Sequence, residues 1–390
     1  MKAESTELRV LLIDDEETVR AALKQELEEQ AAHHGDGNEW RVHSQGFDKV
    51  TEALAGFRPD MVVLDLMEGP ASEETVSGNR SFVEIRDNWF CPIIVYTGFA
   101  ARRDFEEHPQ VVQVTKGMGS DEHVLAKLKS FIPVARMIRA VHEDFDSRIR
   151  EALRDSVQTL IDQIDTSDND SMDSILPRAV RRQVAARVDL AASESFNLHS
   201  WERLLVPPLG NDLLTADLLR RSNASCADPA AFRLILTPSC DLVSSGNRRP
   251  KVDRVLVARC EPLSKLGKMQ FSPGAPLTEP QKKSLRSVLT EGLSGEHFVV
   301  PEFRNHVPLM VANLKRLEFV EWDRVDIGGG ENGADGQESE WVRVASTDSP
   351  FRELAVWAYL RVTGRPGMPE IDIDRWVSEI SSRLEASPEE

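Results

Sequence analysis

The first third of the chain alternates short apolar runs with amphipathic segments. Five segments have the length and composition of strands: 8–13, 40–44, 61–64, 92–97 and 111–115. Four segments between and after them have helical spacing: 17–31, 48–56, 80–87 and 120–132. Most of the strands are apolar throughout, as strands buried on both faces are. The pattern predicts an α/β domain with a doubly wound five-stranded parallel sheet over residues 1–135.

A second pattern begins at residue 134, where apolar residues recur every three or four positions to about residue 164. This spacing predicts one long helix, followed by the polar segment TSDNDSMDS and a second helix at about 174–192. Two such helices can form a hairpin, and two hairpins can pack as a dimeric bundle. Alternatively, both helices pack on the rest of the chain. We assign residues 136–197 to a helical connector and predict a possible homodimer through residues 134–192.

The pattern changes again in residues 198–390, where Pro and Gly separate several short apolar runs. The predicted strands lie at 232–237, 253–259, 297–300, 307–312, 317–322 and 340–345. Two helices are expected at about 350–362 and 372–384. Short strands in series predict a smaller α+β domain with a barrel-like antiparallel sheet.

Composition narrows the classes of function. The chain has 390 residues, of which 41% are hydrophobic and 29% charged, with a formal net charge of −18. None of the three regions is basic overall, so nucleic-acid binding is not expected. A transcription regulator would need a basic recognition helix, and the helix with Arg181 and Arg182 comes nearest. Apolar runs long enough for a membrane span or a signal peptide are missing, so we expect a cytoplasmic protein.

Polar residues follow four of the predicted strands: Asp14 and Asp15, Asp65, Thr97 and Lys116. In an open parallel sheet, ligands bind outside the carboxyl ends of the strands. Three carboxylates at one edge repel each other unless a cation lies among them, and oxygen ligands suit Mg²⁺. A carboxylate held in this way can attack a phosphoryl donor. The hydroxyl and ammonium groups would then bind the phosphoryl oxygens.

The segments LLIDDE, RPDMVVLDLM, PIIVYTG and VTK, in this order, resemble the receiver domains of bacterial two-component response regulators. The resemblance covers about residues 7–133 and implies a flavodoxin-like fold. It also implies that Mg²⁺ is held by Asp14, Asp15, Asp65 and the backbone carbonyl of Met67. Asp65 would take a phosphoryl group from a sensor histidine kinase or a phosphotransfer protein. Thr97 and Lys116 would bind that group.

Three positions depart from the family pattern. Gly117 follows Lys116, where the family usually has proline, and glycine allows other backbone angles. Gln113 stands where many receivers carry a switching Tyr or Phe. The loop from Glu68 to Gly78 is longer than usual and could cap the site or bind a partner. These departures leave the shape of the last loop and the switching mechanism open.

The C-terminal region offers further candidates for chemistry. Cys240 and Asp241 follow one predicted strand, Cys260 ends the next, and His306 lies in the segment FRNHVP. Such residues could form a nucleophilic or metal site, although lone cysteines are commonly buried small hydrophobic residues. The output is therefore either a binding module with an unknown partner or an effector enzyme such as a nuclease or hydrolase. Receivers joined to such domains also resemble proteins of bacterial conflict systems.

Overall fold

The computed structural model divides into two compact units, Met1–Phe196 and Asn197–Glu390, and each is described separately. The residues described are 7–33, 39–66, 77–98, 110–162, 169–193, 198–244, 250–266, 276–291, 293–327, 339–364 and 372–385. Among them, no helix combines the length and the apolar character that crossing a membrane requires.

The first unit contains a five-stranded parallel sheet flanked by helices. The strands are β1 (Glu7–Ile13), β2 (Glu39–Gln45), β3 (Met61–Leu64), β4 (Ile93–Thr97) and β5 (Val111–Thr115). The helices are α1 (Glu17–His33), α2 (Val50–Phe57), α3 (Ser77–Asn88), α4 (Ser120–Ile161) and α5 (Asn169–Ser193). The strand order is β2-β1-β3-β4-β5, and every pair is parallel. The predicted doubly wound five-stranded sheet is confirmed.

Both faces of this sheet are buried, which explains the apolar runs in the sequence. Leu8, Val10 and Leu12 of β1 pack on one face with residues of α1 and α4. Leu11 and Ile13 of the same strand pack on the other face with residues of α2 and α3. Successive side chains of a strand point to opposite faces, so each strand contributes to both cores.

Helix α4 is longer than the sequence pattern indicated. It runs without interruption from Ser120 to Ile161, so the predicted end near residue 132 is wrong. Pro133 lies inside this helix and is exposed. Because proline has no N–H group, the carbonyl group one turn earlier loses its helical partner, and water can hydrogen-bond to it instead. Ile132 and Ala135, on either side of the proline, are buried against the sheet. Tertiary packing therefore outweighs the helix-breaking tendency of one residue.

Helix α5 packs along the distal half of α4. Ala152 and Ser156 of α4 are buried, and Arg187 of α5 lies 3.7 Å from the Asp155 carboxylate. The predicted pair of helices is present. The second of them begins at Asn169, about five residues earlier than predicted, so residues 169–174 of the expected polar break are helical. Residues 166–168 lie outside the described part of the chain.

The second unit is built on a nine-stranded sheet. Its strands are β6 (Leu204–Leu205), β7 (Leu218–Arg221), β8 (Phe232–Ile235), β9 (Arg254–Pro262), β10 (Leu293–Ser294), β11 (His297–Val300), β12 (Met310–Glu321), β13 (Val325–Asp326) and β14 (Trp341–Thr347). Its helices are α6 (Ser239–Leu242), α7 (Glu279–Glu291), α8 (Phe351–Thr363) and α9 (Ile373–Glu385). The order is β10-β11-β12-β9-β8-β7-β14-β13, and β6 pairs with β14.

The antiparallel character predicted for this sheet is confirmed, with a parallel pair only between β13 and β14 among the described strands. The sheet does not close into a barrel within the described part of the chain. Two predicted strands, at 307–312 and 317–322, form the single strand β12, which has a bulge between Asn313 and Leu317. A bulge of this kind bends and twists a strand locally.

A buried ion pair lies inside the second unit. Asp217 and Arg343 have fully buried side chains, and their Oδ2 and Nε atoms are 2.7 Å apart. Arg343 also donates hydrogen bonds to the carbonyl oxygens of Leu209 and Gly210. The arginine thereby connects β14 to the chain segment before β7.

Candidate functional site

The carboxyl edge of the parallel sheet brings three predicted site residues into direct contact. The Lys116 ammonium donates hydrogen bonds to Asp14 Oδ2 at 2.7 Å and to Asp65 Oδ2 at 2.6 Å. Each of the three side chains follows a different strand. Asp14 and Asp65, which are 102 and 51 residues away from Lys116 in the chain, therefore meet it at one edge of the sheet. The lysine thus bridges two carboxylates that are almost entirely buried.

Backbone hydrogen bonds fix the orientation of both carboxylates. The N–H of Glu16 donates to Asp14 Oδ1 at 2.8 Å, and the N–H of Leu66 donates to Asp65 Oδ1 at 2.7 Å. The Asp65 N–H in turn donates to the Ile13 carbonyl at 2.8 Å, which continues the β1–β3 pairing to the site. The strand ends therefore hold the acidic groups in place through the main chain.

Asp15 completes an acidic cluster. One carboxylate oxygen from each of Asp14, Asp15 and Asp65 lies within 4.8 Å of the others. Three carboxylates at this spacing, all supplying oxygen, fit a hard divalent cation such as Mg²⁺. In the described part of the chain, this is the one group of three or more potential ligands that could share a metal ion. Met67, the fourth expected ligand, lies outside the described residues.

Thr97 lies at the end of β4, next to β3 in the sheet, and is 1% exposed. Its Oγ1 has no hydrogen-bond partner among the described residues. The N–H of Lys116 donates to the Thr97 carbonyl at 2.9 Å, so the threonine and the lysine are adjacent across β4 and β5. A buried hydroxyl without a partner is costly, and an additional oxygen-bearing group beside it would relieve that cost.

Burial and charge pairing alter the acid–base properties of the site. Burial raises the pKa of the Asp14 carboxyl, although hydrogen bonds from Lys116 and from the Glu16 N–H act in the opposite direction. Burial alone would lower the pKa of the Lys116 ammonium, but its bonds to Asp14 and Asp65 outweigh burial and raise that pKa. The lysine therefore remains a cation at neutral pH.

Tyr96 is a part of this region that the sequence analysis missed. Its hydroxyl lies 2.6 Å from Ser120 Oγ and donates to Asp121 Oδ1 at 2.7 Å, at the beginning of α4. The Lys116 ammonium lies 5.6 Å from the centre of its ring. Tyr96 on β4 thus links the lysine to α4. Gln113, the position at which the sequence resemblance implied an aromatic residue, lies on the neighbouring strand β5.

The loop after Lys116 uses a glycine at a position that requires it. Gly119 has φ +74°, the left-handed region that favours glycine, and immediately precedes α4. The Ser120 hydroxyl donates to the Gly117 carbonyl at 2.7 Å and closes this turn. Only Lys116 and this short turn separate β5 from the start of α4.

The candidates in the second unit lie in different surroundings. Cys260 is buried in the sheet, and burial raises the pKa of its thiol to about 12, so it stays protonated at neutral pH. Cys240 is exposed, with its thiol 3.7 Å from Asp241 Oδ1. Lys251 binds the same carboxylate at 2.9 Å. His306 is exposed in a turn, where its ring packs edge-on against Phe303.

Comparisons with known proteins concern the first unit. No protein family and no curated protein matches the chain. Similar solved structures include the N-terminal domain of the nisin resistance regulator NsrR, with 19% identity over 32% of this chain and 97% of that chain and a TM-score of 0.26. The response regulator PhyR from Brucella abortus has 24% identity over 36% of this chain and 54% of that chain, with a TM-score of 0.28.

A third similar structure is the response regulator TrrA from Thermotoga maritima in complex with Mg²⁺–BeF, with 29% identity over 32% of this chain and 99% of that chain. Its TM-score is 0.24. The fold of the first unit follows from its strand order, β2-β1-β3-β4-β5, which is the flavodoxin-like order. The fold implied by the sequence resemblance is therefore confirmed for the first unit.

Proposed function

We propose that this protein is a response regulator of a phosphorelay and that Asp65 is its phosphoryl acceptor. The observation that carries the proposal is the Lys116 ammonium between the carboxylates of Asp14 and Asp65, beside the unpartnered hydroxyl of Thr97. These groups can hold a carboxylate nucleophile, a divalent cation and a transferred phosphoryl group within a few ångströms. A purely structural ion pair needs neither the additional Asp15 carboxylate nor the buried hydroxyl.

In the proposed reaction, a carboxylate oxygen of Asp65 attacks the phosphorus atom of the donor. A new O–P bond forms, the bond between phosphorus and the donor breaks, and its electron pair leaves with the donor group. Asp14, Asp15 and Asp65 would hold Mg²⁺, with the Met67 carbonyl as the fourth protein ligand. When bound, the cation neutralises charge on the phosphoryl oxygens.

Lys116 and Thr97 act on the product. The ammonium group, already within hydrogen-bond distance of Asp65, binds a phosphoryl oxygen in place of one carboxylate contact. The Thr97 hydroxyl gains the partner that it otherwise lacks. Phosphorylation thus changes the contacts of Lys116, which directly precedes the turn into α4, and of Thr97, whose carbonyl accepts a hydrogen bond from the Lys116 N–H.

The expected donors are a sensor histidine kinase or a phosphotransfer protein, which would present a phosphorylated imidazole. We propose that the signal then passes along α4 into a helical connector, residues 136–197, and to an output domain, residues 198–390. Continuity of α4 from Ser120 to Ile161 supports this path, because one helix extends from the turn after Lys116 to the contact with α5. The buried Asp60 carboxylate also binds Arg139 of α4 at 2.8 Å, so the helix is tied to the sheet beyond Pro133.

We further propose that two copies associate through the connector. Large apolar side chains recur every four residues along α4 and are between 40% and 60% exposed: Met137, Val141, Phe145, Ile149 and Leu153. Helix α5 packs on the side of α4 that carries Ala152 and Ser156 and leaves this stripe uncovered. An exposed apolar stripe of this length is typical of a helix that packs on another helix.

Labelling with acetyl phosphate and Mg²⁺ tests the acceptor directly. We expect the wild-type chain to gain one phosphoryl group, measured by intact mass, and the Asp65→Asn variant to gain none. Asp87→Asn is a matched control, because Asp87 is exposed on α3 of the same unit. Labelling that persists in Asp65→Asn, or that disappears in Asp87→Asn, would contradict the assignment.

A further inference from the structure

The second unit contains a surface cavity of about 390 Å³ whose walls come from the segment after β6, from the strands β7 and β14, and from the turn between β11 and β12. Its apolar lining consists of Val206, Pro207, Pro208, Phe303 and Val344. Two polar side chains, Arg220 and His306, complete it. Ligand sites are commonly cavities of about this size with mostly apolar walls and a few polar groups.

Arg220 differs from the other arginines on the strands of this unit. Six of the seven pair with a carboxylate: Arg221 with Glu340, Arg233 and Arg259 with Glu318, Arg254 with Glu321, Arg316 with Glu261, and Arg343 with Asp217. The half-buried Arg220 takes part in no such pair among the described residues, and its Nε is buried without a hydrogen-bond partner.

The missing partner is unusual because the chain has an excess of carboxylates, with 65 Asp and Glu against 47 Lys and Arg. A partly buried guanidinium without a counter-ion loses solvation that nothing replaces. An anion bound in the cavity would supply both the charge and the hydrogen-bond acceptors, and guanidinium groups suit carboxylates and phosphates in particular.

The rest of the cavity wall favours an anion with an apolar body. The Phe303 and His306 rings lie 5.8 Å apart at an angle of 70°, and the Trp201 ring lies 6.1 Å from Phe303 at 89°. Trp201 and His306 are exposed, and both contact the Phe303 ring that lines the cavity. Such surfaces bind planar or aliphatic groups, whereas a small inorganic ion would leave them in contact with water.

We infer that this cavity is a binding site for a small organic anion, with the Arg220 guanidinium holding the carboxylate or phosphate and Phe303 packing on the apolar part. The site is independent of the phosphoryl acceptor and gives the second unit a ligand-binding role. His306, one of the residues considered for catalysis, lines the site, whereas Cys240, Asp241 and Cys260 do not.

Two probes of equal shape test the inference on the full-length protein. 1-Naphthoate carries a carboxylate on an aromatic body, and 1-naphthamide carries a neutral amide on the same body. We expect calorimetry to show that the wild-type chain binds the carboxylate about tenfold more tightly than the amide, because a hydrogen bond to a charged group contributes about that factor. Arg220→Gln should abolish this preference, and Arg221→Gln, at a neighbouring arginine that already pairs with Glu340, should keep it.

Equal binding of the two probes by the wild-type chain, or binding of neither at millimolar concentration, would overturn the inference. A preference that survives in Arg220→Gln would overturn it as well. If Arg220→Gln does not fold, as judged by circular dichroism, Phe303→Ala decides instead. That variant should bind both probes about tenfold more weakly than the wild-type chain, and unchanged binding would place the probes elsewhere.

Discussion

Lys116 has a structural role as well as the proposed chemical one. Its ammonium lies within 2.7 Å and 2.6 Å of two carboxylates that are only 8% and 6% exposed. Removing one partner of a buried ion pair is strongly destabilising because the remaining charge is left without compensation. The same carboxylates are the proposed ligands of Mg²⁺, so a bound cation and the lysine ammonium stabilise the same charges.

Replacing Lys116 with Met should therefore lower the free energy of unfolding of the first unit by about 3 kcal/mol without Mg²⁺. Adding Mg²⁺ should restore part of the loss, because the cation compensates the same carboxylates. Urea denaturation with and without Mg²⁺ measures both effects. Lys127→Met, at an exposed position of α4, is the matched control and should change stability little. A Lys116→Met variant as stable as this control would contradict the geometry of the site.

At the residue scale, the sequence was sufficient for the side chains that follow apolar strands. Asp14, Asp65 and Lys116 were predicted together because strand ends of a parallel sheet share one edge. Tyr96 and Arg220 could not be found in this way. The role of Tyr96 depends on its contact with α4, and the isolation of Arg220 depends on which carboxylates lie near it in three dimensions. Neither property leaves a pattern along the chain.

Among the helices and strands, α4 differs most from the structure that the sequence predicts. The sequence pattern ended one helix at residue 132 and began another at 134, because proline usually interrupts a helix. The structure joins them, and Arg139 binds the buried Asp60 carboxylate six residues beyond Pro133. The helix-breaking tendency of proline acts locally. Arg139 and Asp60 are 79 positions apart in the chain, so their contact could not be predicted from the sequence.

The exposed stripe on α4 leads to a prediction about oligomeric state. Phe145 lies at the centre of the stripe, and Phe145→Glu should place a charge in the proposed interface and convert the protein to a monomer. Light scattering coupled to size-exclusion chromatography measures this. Ala140→Glu introduces the same charge at an exposed position about 140° away around the helix and should leave the dimer intact. A wild-type chain that is monomeric at micromolar concentration would contradict the interface.

In the second unit, Glu318 of β12 connects to the adjacent strand β9 and to β8, the strand beyond it. It accepts hydrogen bonds from Arg233 of β8 and from Arg259 of β9. Burial would raise the pKa of this carboxyl, but the two arginines outweigh burial and hold the pKa below its usual range. The folded state therefore binds fewer protons here than the unfolded state. The stabilisation is present above the unfolded pKa of about 4.3 and is lost as the pH falls through the lower, folded pKa.

We accordingly expect Glu318→Gln to lower the free energy of unfolding of the second unit by about 2 kcal/mol at pH 7. The difference from the wild-type chain should shrink once the pH falls below the unfolded pKa of about 4.3, and it should disappear as the pH falls through the lower pKa of the folded state. Denaturation curves measured between pH 3 and pH 7 provide the test. A difference that stays constant over this range would show that the charge of Glu318 contributes nothing to stability.

At the scale of the whole molecule, each unit has hydrophobic cores of its own. The parallel sheet is covered on both faces within the first unit, and the antiparallel sheet contributes to separate cores in the second. The sequence predicted the first fold well because apolar runs alternate regularly with helices. It was less successful for the second sheet, because barrel closure depends on pairing between distant strands and on the bulge in β12, neither of which short apolar runs specify.

Separate cores predict that damage to one unit spares the other. Arg343→Met leaves the buried Asp217 without its cation and should destabilise the second unit by about 3 to 5 kcal/mol. Phosphorylation of Asp65 by acetyl phosphate should proceed at the wild-type rate, because the acceptor site lies entirely in the first unit. Hydrogen exchange localises the destabilisation, and intact mass follows labelling. Loss of labelling in Arg343→Met would show that the receiver site depends on the second unit.

We expect Asp65 itself to form the acyl phosphate. Sodium borohydride reduces an aspartyl phosphate to homoserine, so peptide mass spectrometry can identify the modified residue after labelling with acetyl phosphate and Mg²⁺. We predict homoserine at position 65, dependent on Mg²⁺ and absent without the phosphodonor. Homoserine at Asp14, at Asp15 or at another aspartate, or at no position in a labelled protein, would rule out Asp65 as the phosphoryl acceptor.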